Sequence, residues 1–170
     1  MKLLKSRPML KAAILTISDK GAKGERADES GAAIREMLAD IPVSVVAYEI
    51  VPDERTQITA RLIHLADALG AELIVTTGGT GVSPRDVTPE ATKDVIDREL
   101  PGMAEAMRAA SLIHTPHAML SRAVCGIRGR TLIINLPGSP KAVRENLAVV
   151  MPAIAHAVEK ICGSEAECGR

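Results

Sequence analysis

The stretch Thr76-Thr77-Gly78-Gly79-Thr80-Gly81 places three glycines within four residues. Lacking Cβ atoms, such positions approach an anion closely and adopt positive φ, so successive N–H groups can converge on a phosphate. The stretch is not a P-loop, since no Gly-Lys-Ser/Thr follows, and it lacks GxGxxG spacing. A tight turn from strand to loop explains the same residues, so both readings stand at this point. Further on, Arg85-Asp86-Val87-Thr88-Pro89-Glu90 joins the loop to a helix, with Asp86 just ahead of Thr88 as the expected cap. Asp53, in Val51-Pro52-Asp53-Glu54, occupies the matching position after another candidate strand. Two carboxylates from neighbouring strand ends suit a nucleotide-bound Mg2+, whose octahedron waters and phosphates complete. Either aspartate alone is equally explained as an electrostatic cap on the helix that follows it.

A second glycine signal, Asn135-Leu136-Pro137-Gly138-Ser139-Pro140-Lys141, ends a strand and opens a long helix. A helix N-terminus capped by Ser139 is a site for an anion or a ribose. Ser121-Arg122 and Arg128-Gly129-Arg130 add donors and positive charge, although surface arginines are usually only solvated. His114 and His117 form HTPH, but no Cys, Asp or Glu stands at ligand spacing and Pro116 interrupts the motif, so no metal site is expected there. His64 and His156 read as packing or surface residues. No Ser-His-Asp elbow, no HExxH and no catalytic cysteine pattern is present.

The elements that must position these residues follow from periodicity. Leu10 to Ser18, Val43 to Val51 and Glu72 to Thr77 read as buried strands, the third running straight into the glycines. Ala123 to Gly129 and Arg130 to Leu136 read as two strands around a turn at Gly129. Between the first strands, DKGAKGERADES reads as a polar loop, and helices are expected over Ser30–Asp40 and Arg55–Leu69, the latter stopped by Gly70. Three later helices open at Thr88-Pro89, Leu100-Pro101 and Ser139-Pro140, where proline is tolerated as a first helical residue. The last continues to about Ile161, with Pro152 expected to kink or restart it. Alternating strands and helices imply an α/β fold: a mostly parallel sheet, one strand antiparallel, covered on both faces, with ligands at the carboxyl ends of the strands. The chain reads as one domain over residues 1–170, its core from about 10 to 162 and the tail GSEAECGR frayed.

Composition narrows the class. The 170 residues are 46% hydrophobic and 25% charged, and Lys plus Arg balance Asp plus Glu at 21 each. This is globular composition, and the zero net charge points to neither nucleic acid nor an anionic membrane. No apolar run suits a signal segment or approaches the roughly 20 residues of a membrane span. Cys125, Cys162 and Cys168 are odd in number and form no CxxC, so reduced thiols in a cytoplasm are expected, with Cys125 a small buried hydrophobe in a strand. There is no Trp, no Phe and one Tyr, Tyr48. A bound flat heterocycle must therefore be held by aliphatic side chains and backbone amides, unless Tyr48 stacks on it.

The segments TTGGTG, SPRDVTPEAT, PGMAEAMR, MLSR and CGIRGRTLIINLPGSPK, in this order and spacing, resemble the molybdopterin adenylyltransferase family. That family includes the bacterial MogA/MoaB-type proteins and the G-domains of gephyrin-like proteins, and the likeness runs from about Ala12 to Ile161. It implies a three-layer αβα sandwich assembled as a homotrimer. It implies a reaction of molybdopterin with Mg-ATP to give adenylyl-molybdopterin and pyrophosphate, with hand-over to a molybdenum insertase. It places the catalytic and Mg2+-holding pair on Asp53 and Asp86. The nucleotide would fall on Thr77, Gly78, Gly79, Thr80, Gly81, Pro137, Gly138 and Ser139. The pterin phosphate would fall on Ser121, with Ser111 and Arg122 beside it and Ser18-Asp19 at the site edge. Some relatives of this kind bind molybdopterin without clear transferase activity, so a binding or scaffold protein is the alternative; retention of both aspartates favours the enzyme. ATP is not distinguished from other triphosphates here, nor molybdenum from tungsten.

Overall fold

The computed structural model describes residues 9–163. The expected frayed tail lies outside them, apart from Gly163. In chain order the elements are β1 (Leu10–Ile17), α1 (Asp19–Ala22), α2 (Glu29–Leu38), β2 (Val43–Val51), α3 (Arg55–Ile63), β3 (Leu73–Thr77), α4 (Thr88–Lys93), β4 (Arg98–Glu99), α5 (Pro101–Leu112), β5 (Cys125–Arg128), β6 (Thr131–Leu136) and α6 (Pro140–Ile161). The six strands form one sheet in the order β2-β1-β3-β6-β5-β4. The first four are parallel, and β5 runs antiparallel to both β6 and β4.

The inner strands β1, β3 and β6 are largely apolar and buried because both of their faces are covered, as a parallel sheet requires. Successive residues of β1 feed opposite cores. Ala12 and Ile14 pack with Leu73, Val75, Leu132 and Ile134 beneath α2, α5 and α6. Ala13, Leu15 and Ile17 pack with Ile74 and Ile133 beneath α3 and α4. These are the three layers. Asn135 anchors a buried polar cluster in the core: it donates to the hydroxyls of Thr76 and Thr92, both at 3.0 Å, and accepts from the Val124 N–H at 3.2 Å. Its amide is therefore satisfied at full burial.

Several expectations are corrected. The loop after β1 contains a helical turn, α1, capped by Ser18, whose hydroxyl accepts from the Gly21 N–H at 3.0 Å. The helix begun at Arg55 is α-helical only to Ile63 and continues as a π-helical turn, His64–Ala68, before Gly70 (φ +67°) ends it. Pro152, expected to kink or restart the last helix, does not restart it, since α6 runs unbroken through it. The carbonyl that lacks its partner belongs to the exposed Ala148, where water can satisfy it. Thr88 does not cap α4; Val87 holds that position, and the buried Thr88 hydroxyl turns back to the Gly78 carbonyl at 2.9 Å. Cys125 is buried as expected, and burial pushes its thiol up to about 12. Among the described residues no helix is long and apolar enough to cross a membrane.

Candidate active site

Four parallel strand ends open on one side of the sheet: Ser18 after β1, Asp53 after β2, Gly78 after β3 and Pro137 after β6. The chain leaves β1 toward β2 on one side and builds β3 and β6 on the other. The switch point between β1 and β3 is where an open α/β sheet forms its ligand crevice. A cavity of about 200 Å3 sits there, lined by Ser18, Asp28, Asp53, Thr77, Gly78, Gly79 and Gly138 among others.

The glycines are required by space. Gly78 has φ +100°, and a Cβ there would fall 2.2 Å from the Ile17 carbonyl oxygen. Gly79 has φ +63°, and its Cβ would meet the Thr88 hydroxyl at 2.3 Å and an Asp53 carboxylate oxygen at 3.2 Å. The loop is tied to the turn after β6, and that turn is held in its own right from α2. The Thr77 hydroxyl donates to the Pro137 carbonyl at 2.6 Å, and Ser30 donates to the Gly138 carbonyl at 2.7 Å. Within the described residues no protein group accepts from the N–H of Gly79, Thr80 or Gly81. Such a run of unpaired donors suits an anion.

Asp53 and Asp19 lock β1 to β2. The Asp19 N–H donates to the Asp53 carboxylate at 2.8 Å, and the Asp53 N–H donates back to Asp19 at 3.0 Å. Arg85 reaches across from the glycine loop to both Asp19 oxygens, at 3.1 and 2.8 Å, and to Glu54 at 2.8 Å. The Arg85 guanidinium and the Asp53 N–H hold the Asp19 carboxyl below the usual range. Burial pushes Asp53 the other way, and the charges of Asp19 and Asp86 add to the rise. Asp86 folds back on its own loop, accepting from the Ser83 N–H at 2.8 Å, and one of its oxygens would lie 2.9 Å from a Cβ on Gly81. The two aspartates thus flank the glycine loop, Asp53 at Gly79 and Asp86 at Gly81. No group of three His, Cys, Asp or Glu among the described residues could cage a metal ion. Two carboxylates beside unpaired amides instead fit a cation that arrives with phosphates and keeps most of its other ligands.

A second cavity, of about 420 Å3, meets the first at Gly79 and Gly138. Asp86, Ser111, Ser121 and Ser139 line it, so the structure joins residues that the sequence separates widely. Ser139 also caps α6, accepting from the Ala142 N–H at 3.2 Å. Ser18 lines the first cavity rather than the second, and Asp19 faces Arg85. Arg122 departs furthest from expectation. Its backbone N–H donates to the Thr80 carbonyl at 2.9 Å, and its guanidinium binds the Gly81 carbonyl at 2.7 Å, the Asp86 carbonyl at 2.5 Å and the Glu90 carboxylate. It therefore fastens the glycine loop to α4 from behind and does not line the second cavity.

Sequence reasoning missed Arg108, Thr115 and Asn146 in the second cavity, and Arg26 and Asp28 in the first. It named His117 only in a rejected metal motif, yet His117 lines the second cavity. Asp28 accepts from Thr16 and from the Tyr48 hydroxyl, both at 2.6 Å, so the one tyrosine supports the first cavity from outside rather than stacking in it. Arg108 precedes Ser111 by one helical turn, a spacing that places both on one side of α5 and was open to notice.

Glycine loop, switch-point crevice and adjoining cavities are the features of an α/β domain that takes ligands at its strand ends. The chain belongs to the molybdopterin-binding family: the model described as probable molybdopterin binding domain matches residues 13–156. It is 49% identical to a molybdopterin adenylyltransferase of Helicobacter pylori over 153 residues, 89% of this chain and 87% of that protein. It is 48% identical to the gephyrin of Dictyostelium discoideum over 85% of this chain, but over only 21% of that longer protein. Among solved structures, the molybdopterin biosynthesis enzyme MoaB of Thermus thermophilus superposes with TM-score 0.87 at 55% identity, covering 92% of this chain and 98% of that one.

Proposed function

We propose that this protein works in molybdenum cofactor biosynthesis as a molybdopterin adenylyltransferase, using Mg-ATP. The observation that carries the reading is the pair of cavities that share Gly79 and Gly138, with Asp53 lining one and Asp86 the other. ATP would lie in the first and molybdopterin in the second. An oxygen of the pterin's phosphate attacks the α-phosphorus of ATP, the bond to the β-phosphate oxygen breaks, and pyrophosphate leaves. The protein needs no nucleophile of its own for this, only alignment and charge neutralisation. The N–H groups of Gly79, Thr80 and Gly81 would receive phosphate oxygens, and the Ser139 end of α6 adds its positive dipole. Bound through Asp53 and Asp86, Mg2+ would neutralise charge on the triphosphate. By family likeness we also propose that the chain acts as one domain, assembles as a homotrimer in the cytoplasm, and passes its product to a molybdenum insertase.

The test is pyrophosphate release from ATP with and without molybdopterin. Release should require both molybdopterin and Mg2+, and Asp86→Asn should abolish it while molybdopterin still binds. Molybdopterin binding without release by the unaltered protein would make it a scaffold instead.

A further inference from the structure

The second cavity contains a guanidinium that makes no ion pair among the described residues. Arg55, Arg61, Arg85, Arg122, Arg128 and Arg144 pair with acids, whereas Arg26, Arg35, Arg98 and Arg130 make no ion pair among the described residues but do not line this cavity. Arg108 pairs with none among the described residues; its bond is to the Ala123 carbonyl, at 3.1 Å. That engages one of the five N–H donors of a guanidinium. The side chain is half-buried and lines the cavity, so its charge is not simply lost to bulk water.

The neighbours are donors as well. Ser111, one turn along α5, has its hydroxyl oxygen 3.1 Å from Asn146 Nδ2, and the same amide nitrogen donates to the Ala142 carbonyl at 2.8 Å. The Asn146 amide donates to that oxygen, and the hydroxyl can place its own hydrogen on Asn146 Oδ1, 3.3 Å away, or turn it to a ligand in the cavity. Thr115, His117 and Ser121 complete this wall. Of the two acids that line the cavity, Glu145 lies 3.9 Å from the ammonium of Lys141, and Asp86 accepts from the Ser83 N–H at 2.8 Å. Arg122, the other arginine nearby, is held by the glycine loop and cannot serve a ligand here.

We propose that Arg108 is a specificity-determining residue, selecting a pterin that carries a phosphomonoester over the same pterin with a free hydroxyl. The inference rests on the second cavity being the pterin site. A planar guanidinium forms paired bonds to a phosphate dianion and gains nothing comparable from a neutral hydroxyl.

The probes are the oxidised, fluorescent form of molybdopterin and the same compound after phosphatase treatment, titrated by fluorescence polarisation. Wild-type protein should bind the phosphorylated form about 10- to 100-fold tighter, the range for a charge-assisted contact. Arg108→Gln should bring the ratio near one by weakening the phosphorylated form alone, and Arg108→Lys should restore part of it. Inorganic phosphate should compete against wild type and not against Arg108→Gln. A preference unchanged in Arg108→Gln overturns the proposal. So does equal weakening of both forms with a lowered melting temperature, which would make Arg108 a prop for the Ala123 backbone. Failure of wild type to bind either form would overturn the pterin-site reading itself, a result distinct from the other two.

Discussion

The surroundings of Asp53 work against its charge. Burial and the nearby charges of Asp19 and Asp86 raise its pKa, and the Asp19 N–H only partly offsets them. For a carboxyl whose folded-state pKa exceeds its unfolded value, the cost to stability is absent below the unfolded pKa and complete above the folded one. Asn at this position keeps an oxygen for the Asp19 N–H and carries no charge. Asp53→Asn should therefore melt higher than wild type at neutral pH while losing adenylyl transfer. Calorimetric scans across pH should show the two melting curves converge as pH falls below the usual carboxylate range, near 4; a lower melting temperature at pH 7 would contradict this. The position of this carboxylate after a strand end was readable in sequence, because Asp is at home in the turn that follows a strand. Its exchange of bonds with Asp19 was not, because that depends on β1 and β2 lying side by side. Nor was the Arg85 bridge, whose partner lies 66 residues away.

At the scale of elements, the glycine loop is shaped by groups that the sequence places far from it. Thr88, Pro137 and Arg122 grip it from α4, from the end of β6 and from the approach to β5. Arg122→Lys keeps one charge but cannot reach the Gly81 carbonyl, the Asp86 carbonyl and Glu90 together. The loop should then carry Asp86 out of line, lowering kcat on the order of 10-fold, the effect of about 1.4 kcal/mol in the barrier. Affinity for molybdopterin should stay within about 2-fold, well inside 1 kcal/mol. A variant with weakened pterin affinity and unchanged kcat would return Arg122 to the role of ligand that family resemblance suggested. Long strands and helices were legible because their periodicity is strong: β2 was expected over the residues it occupies. The short elements were not. The two residues of β4 become a strand only by pairing with Ile127 and Gly126 of β5, and α1 is a single turn whose cap, Ser18, had been noticed for another reason.

For the whole molecule, both sheet edges and the surface beside the second cavity bear on assembly. β4 is a short edge, but β2 is a nine-residue edge strand with Val46, Tyr48 and Ile50 exposed along it, and such edges invite pairing unless covered. Beside the cavity, Ile113 is 83% exposed and Met119 68%. The homotrimer we propose would have use for such surfaces. Light scattering at micromolar concentration should give three times the chain mass of 17.9 kDa, and a single chain mass would refute it. The near absence of aromatic residues has an optical consequence. With no Trp and one Tyr, the protein is almost dark in the near ultraviolet, so a fluorescent pterin is seen against little background. The lone phenol is also well placed. Its hydroxyl donates to Asp28, which caps α2 and lines the first cavity, and a carboxylate partner quenches tyrosine emission. A nucleotide that shifts Asp28 would brighten or dim the protein's own signal, giving it a built-in lamp for that cavity and leaving the pterin to report on the other.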